Sequence, residues 1–202
     1  MIERTRPYPD ADELAALYAV PNDADRWPEH QLRTDITVAL GRSRFPARRL
    51  IIDPAAGTGR AARELADAHR RAITGDLSPD ARVDYPATSA LELLDNVVPF
   101  AGLYSGRATA VVLLGEILEH VEDPAALLAA AHRVADGLIL STPLDEPAGV
   151  NPEHVWRWDR AGILELLAGA GWAPDGYVEL ELETPHWPPG YRCQIHTAKA
   201  VR

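Results

Sequence analysis

"LIIDPAAGTGRAARELA", residues 50–66, joins an apolar run to a glycine pair and then to an alanine-rich amphipathic stretch. Leu50 to Ile52 read as a short, fully buried strand, and Thr58 onward reads as a helix whose face carries Ala61, Ala62, Leu65 and Ala68. A strand feeding a helix through a glycine loop opens a βαβ unit. Such a loop presents backbone N–H groups and the positive end of a helix dipole to a ligand, and Gly57 and Gly59 remove the side chains that would block a close approach. A nucleotide-like ligand is expected, and Asp53, at the end of the strand, decides which.

The chain has 202 residues, enough for one domain with an appendage and a sizeable core. It has no stretch of about 18 apolar residues, so no membrane span and no membrane partner are expected. The opening "MIERTRPYPDADEL" lacks the apolar core of a signal peptide, and a cytoplasmic location is expected. A single cysteine, Cys193, excludes an internal disulfide and a cysteine-based zinc site. The formal charge of −10 argues against non-specific nucleic-acid binding, but the charge is uneven. Residues 1–71 hold 12 arginines against 11 acidic residues, which leaves 8 basic and 19 acidic residues for the rest. The one basic cluster, "GRSRFPARR" with Arg42, Arg44, Arg48 and Arg49, reads as a solvated connector before the first strand.

Two helices are expected at the N-terminus. One covers about Ala11 to Tyr18; the other starts at Pro28, turns Leu32, Ile36, Val38 and Leu40 inward and stops at Gly41. Together they make a helical cap over residues 1–48, ahead of a ligand-binding domain over 49–202. Strands are expected at Leu50–Asp53, Ala72–Asp76, Arg82–Tyr85, Ala110–Leu114 and Gly137–Ser141. A helix after Asp123-Pro124 buries Leu127, Leu128, Ala131 and Val134, and another from Asp159 carries Ile163, Leu166, Leu167 and Ala170 before Gly171. "GYVELELET" and "CQIHTAKAV" close the chain as alternating strands joined by the proline-rich "PHWPPGY". The pattern is α/β: a Rossmann-like, doubly wound, mostly parallel seven-stranded sheet with an antiparallel edge.

"GTGRAA" fits the G-x-G-x-x-A dinucleotide pattern, so a nicotinamide- or flavin-binding protein is a competitor. A pyrophosphate, however, would meet the Asp53 carboxylate at short range and be repelled, whereas a cationic ligand would be attracted. S-adenosylmethionine is a nucleoside with a sulfonium, an ammonium group and no phosphate. Over about residues 49–172 the sequence resembles the class I S-adenosylmethionine-dependent methyltransferases. "IIDPAAGTG" matches their D-x-x-x-G-x-G motif, and "ITGDLSP" matches the second-strand motif ending in an acidic residue. "VVLLGEILEHVEDPAALLAAAHRVADGLILSTP" and "HVWRWDRAGILELLAGAGW" match the blocks around strands four and five and the helix that follows.

The resemblance implies that Gly57 and Gly59 line the methionine moiety with Asp53 near its amino group. It implies that Asp76 accepts both ribose hydroxyls while Leu77 packs on adenine. It extends the cofactor set to Ala55, Ala56, Ser89, Ala90 and Gly115. Two positions depart from the family pattern: Ala55 replaces its first glycine, and Ser89 stands where an aspartate commonly reads the adenine amino group.

In "LLGEILEHVEDP", Glu116, Glu119 and His120 sit at i, i+3 and i+4, a spacing that places them on one face of a helical turn, and "NPEHVWRW" brings His154 to the same cleft. Two carboxylates and two imidazoles suit a divalent ion: Mn²⁺, Fe²⁺, Co²⁺ or Zn²⁺, with Mg²⁺ at cellular concentration. The E-x-x-E-H motif, then "STP", then histidine and aromatic residues resemble the metal-dependent 2′-O-methyltransferases of small-RNA 3′ ends; E-x-x-E-H also resembles the ubiquinone-pathway O-methyltransferases. The implied reaction is O-methylation of a diol-like small molecule or a terminal nucleoside, with nucleic acid as partner only at a terminal nucleotide. The same "LEH" block occurs in family members without a metal, where the histidine orients the loop or acts as base, so His120 and His154 are catalytic candidates either way. A metal-independent N-methyltransferase and an NAD-type binding protein remain as alternatives. Trp156 and Trp158 read as lid or core packing, with a base-stacking platform as the alternative.

Overall fold

The computed structural model describes residues 1–18, 27–46, 50–67, 70–101, 110–182 and 190–201. Ala68, Arg48, Arg49 and most of the "PHWPPGY" connector lie outside the described residues. In chain order the elements are β1 (Ile2–Arg4), α1 (Ala11–Tyr18), α2 (Pro28–Arg44), β2 (Leu50–Asp53), α3 (Arg60–Leu65), β3 (Arg71–Thr74), α4 (Ala90–Ala101) and β4 (Ala110–Gly115). A 3-10 turn (Leu118–His120), α5 (Pro124–Val134), β5 (Gly137–Pro143), β6 (Trp156–Trp158), α6 (Arg160–Gly169), β7 (Trp172–Leu182) and β8 (Tyr191–Ala200) complete the chain.

Six strands form one sheet in the order β3-β2-β4-β5-β8-β7. The pairs among β3, β2, β4 and β5 are parallel, and β8 pairs antiparallel with both β5 and β7. Alternation along each strand divides the core between the two faces of the sheet. Leu50, Ile52, Val112, Leu114, Leu138 and Leu140 pack with Leu93, Leu94, Leu127, Leu128, Ile163 and Leu167 from α4, α5 and α6. The intervening Ile51, Val111, Leu113 and Ile139 pack with Val38, Phe45, Ala62 and Leu65 on the side of α2 and α3. Truncating a wholly buried side chain such as Leu128 would cost about 2 to 5 kcal/mol. Helices α5 and α6 start where the sequence puts their caps: Asp123 accepts the N–H of Ala126 at 2.9 Å, and Asp159 that of Gly162 at 2.8 Å.

Three expectations are corrected. Among the described residues the main sheet has six strands rather than seven. Residues 82–85 form no strand: Tyr85 makes one bridge to Gly75, and the Asp84 carboxylate accepts the N–H and hydroxyl of Thr74 at 2.9 and 3.0 Å in place of a ladder. Helix α2 also does not stop at Gly41 but runs to Arg44, with Leu32 left 46 % exposed. A Cβ at Gly41 would meet Leu65 Cδ2 at 2.8 Å, so this glycine admits the close packing of α3 rather than ending the helix. Finally, β1 pairs antiparallel with β6, Ile2 opposite Trp158, a small second sheet that no local pattern announces. Among the described residues no helix is long and apolar enough to cross a membrane.

Candidate active site

Strand order reverses between β2 and β4, so the loops leaving their carboxyl ends diverge and open a crevice. On the β2 side the crevice is built mainly from backbone. Gly57 and Gly59 have φ of 55° and 74°, a region costly for side chains. A Cβ at Gly57 would meet nothing within 4 Å, so a ligand can reach the main chain there. The loop is braced from β3: Asp76 accepts the N–H of Gly57 through Oδ2 and that of Ser78 through Oδ1, both at 2.8 Å. A carboxylate oxygen has two lone pairs, so each keeps one for a diol. Ala56 donates its N–H to the Gly75 carbonyl at 2.9 Å, which closes the cradle between the two strand ends. Leu77 lies half-buried beside Asp76, next to the braced Ser78.

Asp53 is 5 % exposed. Burial pushes its carboxyl up to about 7, with Asp76 adding to the rise and a hydrogen bond from Ala55 opposing it. It is a group that gains from a nearby cation. At the far side of the crevice a Cβ at Gly115 would meet only Ser141 Oγ, at 3.7 Å, leaving room above the end of β4. Ser89 Oγ accepts the N–H of Glu92 at 3.3 Å, a first-turn bond of α4, and Ala90, 8 % exposed, begins that helix.

The β4–β5 side is made of side chains. Among the described residues, Glu119, His120 and His154 each offer a ligand atom within 4.8 Å of the others. Glu119 is 1 % exposed. Its Oε2 accepts the hydroxyl of Thr142 at 3.0 Å, and that hydroxyl accepts Trp158 Nε1–H at 2.8 Å. Its Oε1 is buried with no hydrogen-bond partner, and burial together with Glu116 raises the carboxyl above its ordinary range. Burial and the adjacent His154 push His120 down to about 3, so this ring is neutral at physiological pH. The two imidazoles meet edge to face, centroids 4.8 Å apart. Burial lowers His154, but its bond to Glu146 and the carboxylates of Glu119 and Glu116 outweigh that and raise it.

Glu116 is not in this group. It takes a positive φ of 52° ahead of the 3-10 turn, which breaks the helical i, i+3, i+4 relation expected from its spacing. Its Oε2 lies 3.2 Å from Arg33 of α2 and accepts Tyr191 OH at 3.3 Å. Trp158 belongs to the core, and Trp156 donates Nε1–H to the Val121 carbonyl at 2.9 Å, so both indoles pack the wall of the cleft. Four residues that the sequence alone did not single out reach the site: Thr142, Glu146, Arg33 and Tyr18. Thr142 had a signal in the "STP" block; Arg33 and Tyr18 had none, since their partners are remote in sequence, and Glu146, eight residues before His154, sits in a loop with no regular spacing to mark it. Burial first, then Tyr8, Asp76, Glu153 and Glu119, push Tyr18 up to about 12, and its backbone carbonyl accepts the Ser78 hydroxyl at 3.5 Å.

No protein-family model and no curated protein matches the sequence. Solved structures do match it. The N-methyltransferase NodS of Bradyrhizobium japonicum, in complex with S-adenosylhomocysteine, is similar at TM-score 0.67 and 14 % identity, over 95 % of this chain and 98 % of that one. The 1,6-didemethyltoxoflavin-N1-methyltransferase of Burkholderia thailandensis, with its substrate and S-adenosylhomocysteine bound, is similar at 0.60 and 16 %, over 100 % and 95 %. Magnesium protoporphyrin IX methyltransferase of Synechocystis is similar at 0.59 and 19 %, over 85 % and 84 %. The chain therefore has the fold of S-adenosylmethionine-dependent methyltransferases, a Rossmann-like, mostly parallel sheet with an antiparallel pair at one edge.

Proposed function

We propose that this chain is an S-adenosylmethionine-dependent methyltransferase that methylates oxygen on a diol-like small molecule or a terminal nucleoside. The observation that carries the reading is the cluster of buried Glu119 and His154 with half-buried His120 at the ends of β4 and β5, beside a glycine cradle braced by Asp76. S-adenosylmethionine supplies an electrophilic methyl carbon on a sulfonium. Asp76 holds the ribose, Asp53 favours the cationic end of the donor, and Gly57 and Gly59 let the methionine moiety lie against the main chain. Ala55, Ala56, Leu77, Ser89, Ala90 and Gly115 complete the proposed donor site.

Alignment of the acceptor against the methyl carbon does most of the catalysis, and a hydroxyl must also lose its proton. The cluster fits a divalent ion, Mn²⁺, Fe²⁺, Co²⁺, Zn²⁺ or Mg²⁺: it combines two imidazoles with a carboxylate whose Oε1 is buried and unpartnered. Such an ion would supply Lewis acidity to lower the pKa of the acceptor hydroxyl. Glu119, His120 and His154 would hold it, with Glu116 adjoining through Arg33. His120, at about 3, is in the neutral form that ligates and is a weak proton acceptor, so His154 is the stronger candidate base. Residues 1–48 are proposed as a cap, because α1 meets Ser78 through the Tyr18 carbonyl and α2 meets Glu116 through Arg33, and residues 49–202 as the methyltransferase domain. Metal-independent transfer to nitrogen is the second reading, favoured by the two N-methyltransferases among the similar structures.

A panel of vicinal diols, terminal nucleosides and amines incubated with labelled donor, with and without chelator, tests both readings. Label entering diols and stopped by chelator is expected. Label entering only amines, indifferent to chelator, would establish the second reading instead.

A further inference from the structure

The loop between β5 and β6 carries an arrangement that the donor site and the metal reading leave unused. Glu146 is 7 % exposed and His154 5 %, and Glu146 Oε2 lies 2.5 Å from His154 Nδ1. On the other edge of the ring, Nε2 lies 3.0 Å from Asn151 Nδ2. The Asn151 amide is itself oriented, because its Oδ1 accepts the backbone N–H of Glu153 at 2.9 Å. The amide therefore faces the ring with its NH₂ end, which can only donate. Nε2 must accept, and the ring proton belongs on Nδ1, where it is donated to Glu146. A second ring proton would set an N–H against the amide N–H, so the amide and the Glu146 carboxylate together match a ring with its one proton on Nδ1.

We propose that Glu146 and Asn151 are positioning residues that lock His154 as its neutral Nδ1–H tautomer, with Nε2 as its working nitrogen and the Asn151 amide as the resting partner of that lone pair. Histidine that works as a ligand or base through one nitrogen is commonly fixed by a carboxylate on the other. The buried Glu146 supplies that carboxylate here, eight residues upstream of the ring it orients. Asn151 gives way when His154 engages a partner, so the lone pair stays hydrogen-bonded and aimed until then. The functional weight of this lock rests on the methyltransferase reading above, but the tautomer itself does not.

Nitrogen-15 NMR of histidine-labelled protein at pH 8, with His154 assigned from the spectrum of His154→Gln, reads the tautomer without donor, acceptor or metal. The expected spectrum shows a protonated Nδ1 and an unprotonated Nε2. Glu146→Leu, which removes the acceptor, should lose part of the Nδ1–H form and give a mixture with Nε2–H. Asn151→Ala should keep Nδ1–H and shift only the Nε2 resonance. An Nε2–H or doubly protonated His154 in the unaltered protein, or an unchanged tautomer in a folded Glu146→Leu, would overturn the proposal. Should Glu146→Leu fail to fold, the unaltered protein and Asn151→Ala decide it. Failure of donor binding in a separate calorimetric experiment would remove the methyltransferase reading and leave this result standing.

Discussion

The two halves of the crevice are built on different principles. At the ends of β2 and β3 the chain offers backbone: two glycines at positive φ, a loop braced by one carboxylate, and a second buried carboxylate beneath it. At the ends of β4 and β5 it offers side chains, each held by another. Thr142 and Trp158 hold Glu119, and Glu146 and Asn151 hold His154. A backbone cradle recognises a ligand by shape and tolerates change in most side chains around it. A side-chain cluster fails when one member or its support is removed. Substitutions should therefore separate donor binding from transfer, and the size of each effect sharpens the contrast.

The largest effect is expected on the side-chain half. His154→Ala and Glu119→Ala should each lower methyl transfer by about 10²- to 10⁴-fold while donor affinity stays within about twofold, measured by label incorporation and calorimetry on the same preparations. Chelation should reproduce that separation if a metal is held there; full activity in chelator would leave His154 as the base. Loss of donor binding in either variant would erase the distinction between the halves.

Asp76→Ala comes next. Removing the two charge-assisted bonds proposed to ribose, and the brace on Gly57 and Ser78, should cost about 3 kcal/mol, on the order of a hundredfold in donor affinity. Unchanged affinity by calorimetry would take Asp76 out of the site.

Asp53→Asn should have two opposed consequences. Its folded pKa of about 7 lies above the ordinary 3.8, so the native state binds a proton that the unfolded chain releases. That contribution to stability is present at low pH and is lost as pH rises through about 7. The variant, which never ionises, should melt roughly 5 °C higher than the unaltered donor-free protein at pH 8, and the gap should narrow as pH falls below about 7 and close only below the ordinary 3.8. Donor affinity should drop about tenfold at pH 8, since the carboxylate no longer meets the cation. For the unaltered protein, affinity should rise with pH through about 7. A flat pH dependence of both quantities would contradict the assigned role.

The smallest effect is expected at Trp158→Phe, which keeps the ring packed and removes the N–H to Thr142. About 1 kcal/mol of stability and a few-fold of transfer should be lost, with donor binding unaffected. An equal loss of donor affinity would mean that the Thr142–Glu119 support serves both halves.

The same contrast explains what was readable from sequence. Leu50–Asp53, the glycine pair and the Asp123 and Asp159 caps are local patterns, and the doubly wound order follows from them. The E-x-x-E-H and "NPEH" segments do meet in space, where Glu119, His120 and His154 offer ligand atoms within 4.8 Å of one another. Glu116 defeats the spacing argument because its positive φ, which only three-dimensional context sustains, turns the helical relation aside. Arg33 and Tyr18 acquire meaning only through partners remote in the chain, and Glu146 only through the fold of an irregular loop that returns it to His154. Residues 82–85 look like a strand because alternation cannot register that Asp84 will bond Thr74 through its side chain. Gly41 looks like a helix stop because sequence does not show Leu65 waiting to fill the space beside it.

The account turns on what the backbone half recognises. Calorimetry of the unaltered protein with S-adenosylmethionine, S-adenosylhomocysteine and NAD, at pH 8 where Asp53 is ionised, tests this directly. Binding of the first two and none of the third is predicted, because the buried carboxylate at the mouth of the glycine loop favours a cationic or neutral nucleoside over a pyrophosphate. Binding of NAD without S-adenosylmethionine would contradict the account.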